Sequence, residues 1–226
     1  DYGSDGIYIP PRRVGEDGWG LSIKALIDNA DCSHKARFTL IDADGNEKAS
    51  AIADLRPIIS AKLPVEDPVL WNGRKNPYLY TVRCEIFDST TQEVTDNIDI
   101  RTGLREYHID SHKGFFLNGE HIKLQGVSRH QDRENMGNAI TEKQHAEDVK
   151  IILDVGANSV RLAHYQQNSY FYDLCDESGL LVWAEVPVIS RFSPKRNENA
   201  EQQLVELIKQ NYNHPSIFCW GIENEI

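Results

Sequence analysis

The spacing of apolar residues changes near residue 109, and this change limits the folds that the chain can adopt. Up to about residue 108, short apolar runs are separated by turn residues, without helical spacing. Further along, short apolar runs alternate with segments whose apolar residues recur at helical spacing. The two patterns predict an antiparallel β-sandwich over residues 1–108 and an α/β domain with a parallel sheet over residues 109–226.

The first region is predicted to hold at least six strands. A turn at residues 42–46 (DADGN) consists of residues that tolerate positive φ. We find no group of chemically reactive residues here and expect a packing role. The predicted strands are Gly20–Asp28, Phe38–Ile41, Ala49–Leu55, Ile58–Leu63, Leu79–Phe87 and Asn97–Thr102.

The second region begins with a hairpin signal and continues as strand, helix, strand. Asn118-Gly119 supplies the positive φ of a type I′ turn. Thr141 and Gln144 form a capping box at the start of a helix. The predicted strands are Ile122–Val127, Ser159–Ala163, Leu180–Ala184 and Ile217–Gly221. The predicted helices run from Thr141 to Gly156, from Ser169 to Gly179 and over Glu198–Asn211.

Two architectures fit this alternation, a doubly wound open sheet and a (β/α)8 barrel. A dinucleotide-binding open sheet has a glycine-rich loop after its first strand, and residues 126–130 (GVSRH) do not provide one. This favours the barrel, of which four βα units are one half.

Polar residues follow each predicted parallel strand at its carboxyl end, where barrels hold their catalytic groups. The sequence also allows an interpretation without a site, because a Glu-x-Glu after a strand is often a pair of solvated loop acids. Four successive strands with such ends favour a site. The residues are Ser128, Arg129, His130 and Asp132 after the first strand, Arg161, His164 and Tyr165 at the second, Glu185 at the third, and Asn224 and Glu225 after the fourth.

The composition excludes several partner classes. The formal charge is −11 and the lysines and arginines form no basic stripe, which argues against nucleic acid and anionic membranes. No apolar stretch reaches the ~18 residues of a spanning helix. The chain starts without Met or a signal-like segment, so the sequence leaves cytoplasm and periplasm open. Four cysteines lack metal-ligand spacing and are expected to be free thiols: Cys32, Cys84, Cys175 and Cys219.

Five segments of the chain resemble family 2 glycoside hydrolases, the family of β-galactosidases and β-glucuronidases. The segment NHPSIFCWGIENE at residues 213–225 resembles the acid/base segment of that family. GVSRHQD, VRLAHYQQ and LLVWAEVPVIS resemble its barrel strands, and LWNG with NPYLY resembles its immunoglobulin-like domain. The resemblance implies an immunoglobulin-like β-sandwich followed by the first half of the catalytic barrel.

The resemblance also implies roles for individual residues. Glu225 corresponds to the proton donor and Asn224 to the residue that binds the sugar 2-hydroxyl. Magnesium-binding members carry Glu and His where Ile189 and Arg191 stand, so neither a metal nor another cofactor is expected. The resemblance also implies that His130 and His164 contact the sugar. It implies a supporting role in the site for Arg161, Glu185 and Trp220.

These roles predict a retaining exo-β-glycosidase. Its most favoured candidate substrates are β-galactosides, and β-glucuronides and β-mannosides are the alternatives. Retaining enzymes need a second carboxylate across the sugar, and the family takes it from a seventh strand. The isolated fragment is therefore expected to be inactive and to self-associate through the open edges of its half-barrel. The rival interpretation is a carbohydrate-binding or interaction module without catalysis.

Overall fold

The computed structural model describes residues 3–14, 18–190 and 197–225, which divide into two compact units. The first unit comprises the described residues of 3–71 and 78–106, and the second comprises those of 72–77 and 107–225. Arg191, which entered the metal argument above, lies outside the described residues.

The first unit contains two four-stranded sheets. In one, the central strand β3 pairs with β6 on one side and with β1 and β2 on the other. In the other, the strand order is β5-β4-β7-β8, and all pairs are antiparallel. The strands are β1 Ile7–Tyr8, β2 Pro11–Val14, β3 Gly18–Leu26, β4 His34–Ile41, β5 Glu47–Asp54, β6 Ile58–Val65, β7 Tyr80–Asp88 and β8 Val94–Thr102.

An apolar core lies between these two sheets. Alternate residues of β6 are buried and exposed along its whole length, as a strand with one buried face requires. Leu21 and Ile23 of β3 and Phe38 and Leu40 of β4 are almost fully buried in one cluster. The predicted β-sandwich is therefore present.

The second unit contains a small antiparallel sheet and a parallel sheet with three α-helices. The antiparallel sheet has the order β11-β10-β9. The elements are a 3-10 helix at Gly73–Lys75, strands β9 Tyr107–Asp110, β10 Gly114–Leu117, β11 Glu120–Ile122, β12 Gly126–Arg129, β13 Ser159–Leu162, β14 Leu181–Glu185 and β15 Ile217–Gly221, and helices α1 Glu142–Asp154, α2 Ser169–Ser178 and α3 Asn197–Gln210.

The parallel sheet has the sequential order β12-β13-β14-β15. A single apolar cluster contains side chains from α1, α2 and α3 together with alternate residues of β13 and β14. The helices therefore cover one face of the sheet, and no reversal of strand order occurs within it. A doubly wound sheet carries helices on both faces and reverses its order, so this arrangement is that of the start of a barrel.

Local sequence signals match the observed backbone. Asn118 and Gly119 have φ of 51° and 82°, and β10 and β11 pair directly across them. The capping box is present, with the Thr141 N–H donating to Gln144 Oε1 at 2.7 Å. Gly179 ends α2 in the left-handed conformation with φ of 72°.

The predicted first parallel strand was wrong in position. Residues 122–127 were expected to form it, whereas Ile122 closes the hairpin in β11 and the parallel strand is Gly126–Arg129. The hairpin takes Ile122 because it pairs with Phe115. No helix in the described part of the chain is long and apolar enough to span a membrane. All four cysteines are free thiols, and Cys32 is exposed.

Candidate active site at the carboxyl ends of the barrel strands

Strand alternation divides the side chains of the parallel sheet between two faces. Leu162 and Ala184 pack against the helices. Arg161 and Trp183 are register partners on the opposite face, together with Glu185 at the end of β14. The predicted site residues on β13 and β14 therefore share the face that the helices do not cover.

Glu185 lies at the centre of this group and is 1% exposed. Its Oε1 accepts a hydrogen bond from Arg161 Nε at 2.5 Å, and its Oε2 lies 2.8 Å from His164 Nδ1. Both oxygens of Glu185 are occupied, as expected for an orienting residue.

Asn224 is fixed through both its side chain and its backbone. Arg161 donates from NH2 to Asn224 Oδ1 at 2.7 Å. The Asn224 N–H donates to Val188 O at 2.8 Å, and its carbonyl accepts from the Ser190 N–H at 3.0 Å. Since the arginine occupies Oδ1, the amide NH2 group of Asn224 is the part of the side chain that can donate to a ligand.

Trp183 and Gly221 complete this group, and the sequence predictions omitted both. Trp183 is 39% exposed, and the centre of its ring lies 5.5 Å from Arg161 Cζ. A Cβ on Gly221 would lie 2.4 Å from Trp183 Nε1 and 2.6 Å from Glu185 Cγ, so this position requires glycine. Trp183 stands two residues before Glu185, and strand alternation would have placed it on the same face.

His130 lies beside His164. The two rings are 5.3 Å apart and nearly perpendicular, and the Tyr165 ring lies 6.1 Å from His130. The Tyr165 hydroxyl accepts from the Gln131 N–H at 2.9 Å, which joins the segment after β12 to the segment after β13. His130 is exposed and His164 is half-buried. The structure thus brings together the two histidines that the sequence assigned to sugar contact.

Glu225 follows Asn224 directly and is exposed, with φ of 57°. Trp220 does not share the face of Glu185, because it packs against the cluster between the sheet and the helices. Glu223 is also exposed.

A cysteine nucleophile is not available at this site. Burial and the negative charge of Glu185 raise the pKa of the Cys219 thiol above its ordinary value. The thiolate is the nucleophilic form of cysteine, and these surroundings disfavour it.

Three residues that could ligate a metal lie at the amino-terminal end of β15, away from these strand ends. Asp173, Asp176 and His214 have ligand atoms within 4.8 Å of one another. His214 Nδ1 lies 2.6 Å from Asp176 Oδ2, and the other oxygen of Asp176 accepts from the Ser216 N–H at 3.0 Å. Asp176 therefore holds the turn that precedes the strand.

Comparison with protein families identifies both parts of the chain. Residues 7–105 match the model described as glycosyl hydrolases family 2, and residues 109–226 match its TIM barrel domain. The chain belongs to glycosyl hydrolase family 2. Its architecture is the family's sandwich domain followed by the start of its TIM barrel domain.

Relatives in this family carry two activity names. A β-glucuronidase of Bacteroides fragilis is 39% identical over 100% of this chain and 34% of its own length. A β-galactosidase of Thermoanaerobacter pseudethanolicus is 32% identical over 96% of this chain and 30% of its own length. The chain thus spans about a third of the length of these relatives.

Solved structures of family members superpose closely on this chain. An FMN-binding β-glucuronidase of Facaelibacterium prausnitzii is 42% identical with a TM-score of 0.94, over 100% of this chain and 35% of that one. A β-glucuronidase of Bacteroides uniformis is 34% identical with a TM-score of 0.92, over 100% of this chain and 28% of that one.

Proposed function

We propose that this chain provides the acid/base half of a retaining exo-β-glycosidase, with Glu225 as the proton donor. The observation that carries the proposal is the hydrogen-bonded series from Glu185 through Arg161 to Asn224. It leaves the Asn224 amide NH2 group oriented through its bonded oxygen, one residue before Glu225 in the chain. A sugar hydroxyl bound by that group would be held at a defined position relative to the acid.

In this mechanism Glu225 protonates the leaving oxygen while a second carboxylate attacks the anomeric carbon. Glu225 then accepts a proton from the water that hydrolyses the glycosyl-enzyme intermediate. Glu185 is unsuited to be the nucleophile because Arg161 and His164 occupy its two oxygens. The resemblance to family 2 assigns the nucleophile to a later barrel strand, so the 226 residues alone are expected to show no turnover.

We place β-glucuronides first among the substrates, ahead of the β-galactosides that the sequence favoured, with β-mannosides third. The support is the name of the relatives: the 39% and 42% identical proteins are called β-glucuronidases, whereas the β-galactosidase above is 32% identical. The shared site residues suit all three substrates, since each offers a 2-hydroxyl and a β-linked leaving group.

The test is an assay of the full-length protein on the nitrophenyl β-glycosides of glucuronic acid, galactose and mannose. We expect the largest kcat/KM for the glucuronide and a product that is first released as the β-anomer, observed by proton NMR. Release of the α-anomer would contradict the retaining mechanism. A larger kcat/KM for the galactoside would reverse the order of substrates and leave the mechanism intact.

One observation favours a carbohydrate-binding module as the second candidate. Glu225 is exposed in this chain, where its carboxyl can hydrogen-bond a sugar without any catalytic step. A binding module would retain sugar affinity in Glu225→Gln and would hydrolyse nothing in either form. Turnover by the full-length protein that disappears in Glu225→Gln would exclude this candidate.

We also propose that the isolated chain self-associates. Among the described residues, strands β12 and β15 lie at the two edges of the parallel sheet, each beside one neighbouring strand, and open edges of this kind pair with other chains. Sedimentation of the 226-residue chain should therefore show species larger than the 25.7 kDa monomer. A monomer at all concentrations would contradict this proposal.

A further inference from the structure

A cavity of about 290 Å³ lies at the amino-terminal end of the parallel strands. Its walls include the 3-10 helix Gly73–Lys75, Asn158 just before β13, and Leu181, the first residue of β14. Glu185 ends the same strand four residues later, and a strand rises ~3.3 Å per residue. The cavity is therefore ~13 Å away from the candidate active site and separate from it.

The cavity is cationic in a chain whose formal charge is −11. Arg74, Lys75 and Lys123 line it together with His121, and none of the described lining residues is acidic. Lys75 forms an ion pair with Glu120, which balances one of the three permanent positive charges. Arg74 and Lys123 contribute two charges that no carboxylate on the cavity wall balances.

The backbone around these cations is closely packed. A Cβ on Gly179 would lie 2.2 Å from the Gly73 carbonyl oxygen, so the 3-10 helix is seated directly on the end of α2. Arg74 NH1 donates to Ala157 O at 2.8 Å. The Asn158 amide donates to Lys123 O at 2.9 Å and accepts from the Gln125 N–H at 2.8 Å. The two cations thus extend from segments that are fixed to each other.

We propose that this cavity binds a small organic phosphate monoester. Two unbalanced positive charges match an anion whose charge at pH 7 is about −1.5 to −2. The arginine fork suits phosphate oxygens, and lysine adds a point charge. Ile122 and Leu181 provide apolar wall for the organic part. At ~30 Å³ per water, the cavity has the volume of about ten waters, enough for a phosphate with a six-membered ring.

The test compares three ligands that share one ring and differ in charge: phenyl phosphate, phenyl sulfate and benzoate. Binding to the 226-residue chain is measured by ligand-observed NMR at pH 7.5. We expect phenyl phosphate to bind about ten times more tightly than the two monoanions, and more tightly than inorganic phosphate. Equal affinities for the three ring compounds, or no binding of phenyl phosphate at millimolar concentration, would overturn the proposal.

Variants locate the binding. Lys123→Ala should weaken phenyl phosphate binding about three- to tenfold, because it removes one of the two unbalanced charges. Lys150→Ala is the matched control. Lys150 is exposed on α1, outside the cavity, and its substitution changes the net charge by the same amount. Equal weakening by both variants would show that net charge alone attracts the ligand and would overturn the proposed site. The circular dichroism spectra of both variants establish that they fold.

Discussion

Arg129 and Arg161 both lie near the carboxyl ends of neighbouring parallel strands, yet they serve different sides of the sheet. Arg129 is a register partner of Leu162, on the helix side, and is 6% exposed. Arg161 is a register partner of Ser128 and Trp183, on the uncovered side, and its side chain is 34% exposed. The two arginines differ by one position in the register of the sheet. This difference places Arg129 among the helices and Arg161 in the candidate site.

The partners of Arg129 belong to α1, to α2 and to the segment just before α2. Its guanidinium bonds to Asp148 Oδ2 at 2.7 Å, to His145 Nδ1 at 3.0 Å and to Gln167 Oε1. It also lies over the Phe171 ring at 3.9 Å. This set attaches β12 to α1 and α2, whereas the Arg161 set connects the ends of three strands. Residues on the helix side should therefore affect stability, and residues on the uncovered side should affect activity.

The largest effect is expected from Glu225→Ala in the full-length protein. Loss of a general acid should reduce kcat/KM on natural glycosides by about 10²–10⁴-fold, and the bond-cleavage step with nitrophenyl glycosides far less, because nitrophenolate leaves without protonation. Azide should restore turnover and yield a glycosyl azide of retained configuration. In the 226-residue chain, where Glu225 is exposed, the same substitution should change the unfolding free energy by less than about 0.5 kcal/mol. Uniform loss on all substrates, without azide rescue, would assign Glu225 to the fold.

On the helix side, Arg129→Met should lower the unfolding free energy of the barrel unit by about 1–3 kcal/mol, because it removes the buried guanidinium from His145, Gln167 and Asp148, of which Asp148 keeps Arg133 as an ion-pair partner. Urea denaturation followed by far-ultraviolet circular dichroism measures this. Lys143→Met is the control, since Lys143 is 83% exposed and lies 4.0 Å from Glu147 on the same helix. The control should change stability by less than about 0.5 kcal/mol. Equal losses would remove the distinction between the two sides.

The sequence predicted the sandwich and the parallel sheet, and it grouped four side chains that the structure brings together, because alternation and strand ends are local properties. Arg161, His164, Glu185 and Asn224 do lie together, and the hydrogen bonds among them follow from their strand positions. Arg129 was grouped with the same strand-end residues although it faces the helices. Its side depends on the pairing of β12 with β13, and the predicted strand ended at Val127, before Arg129.

Sequence patterns also failed to predict properties that depend on the close approach of a backbone to a side chain from another strand. The need for glycine at position 221 depends on Trp183 and Glu185 of the neighbouring strand, 36 to 38 residues earlier in the chain. The exposure of Glu225 likewise depends on which parts of a barrel surround it. Neither property is encoded in residues adjacent in sequence.

A smaller effect is expected from Arg161→Lys in the full-length protein. Lysine keeps the positive charge but cannot reproduce the fork that contacts Glu185 and Asn224 at once. We expect kcat to fall about 10- to 100-fold, with a small change in melting temperature, because the charge beside Glu185 is retained. The measurement is steady-state kinetics together with thermal unfolding. An unchanged kcat with a melting temperature lowered by several degrees would place Arg161 in the structural class of Arg129.

The smallest effect is a pH dependence of stability that arises from His145. Burial, and then the positive charge of Arg129, lower the pKa of His145 below its ordinary value of 6.5. The folded chain therefore binds fewer protons than the unfolded chain as the pH falls below that value. This contribution to stability is complete above about pH 6.5 and is lost as the pH falls through the folded pKa.

His145→Gln removes this titration and keeps an oxygen that can accept from Arg129 NH2. The unfolding free energy, measured by urea denaturation between pH 7 and pH 5, should then fall less steeply than in the natural sequence, by at most about 1.4 kcal/mol per pH unit. His112→Gln is the control, because His112 is exposed and should leave the slope unchanged. Asp148 and Glu142 also act on His145 and favour its protonated form, so the effect stays below that limit. A slope in His145→Gln equal to that of the natural sequence would show that His145 does not contribute to the pH dependence of stability.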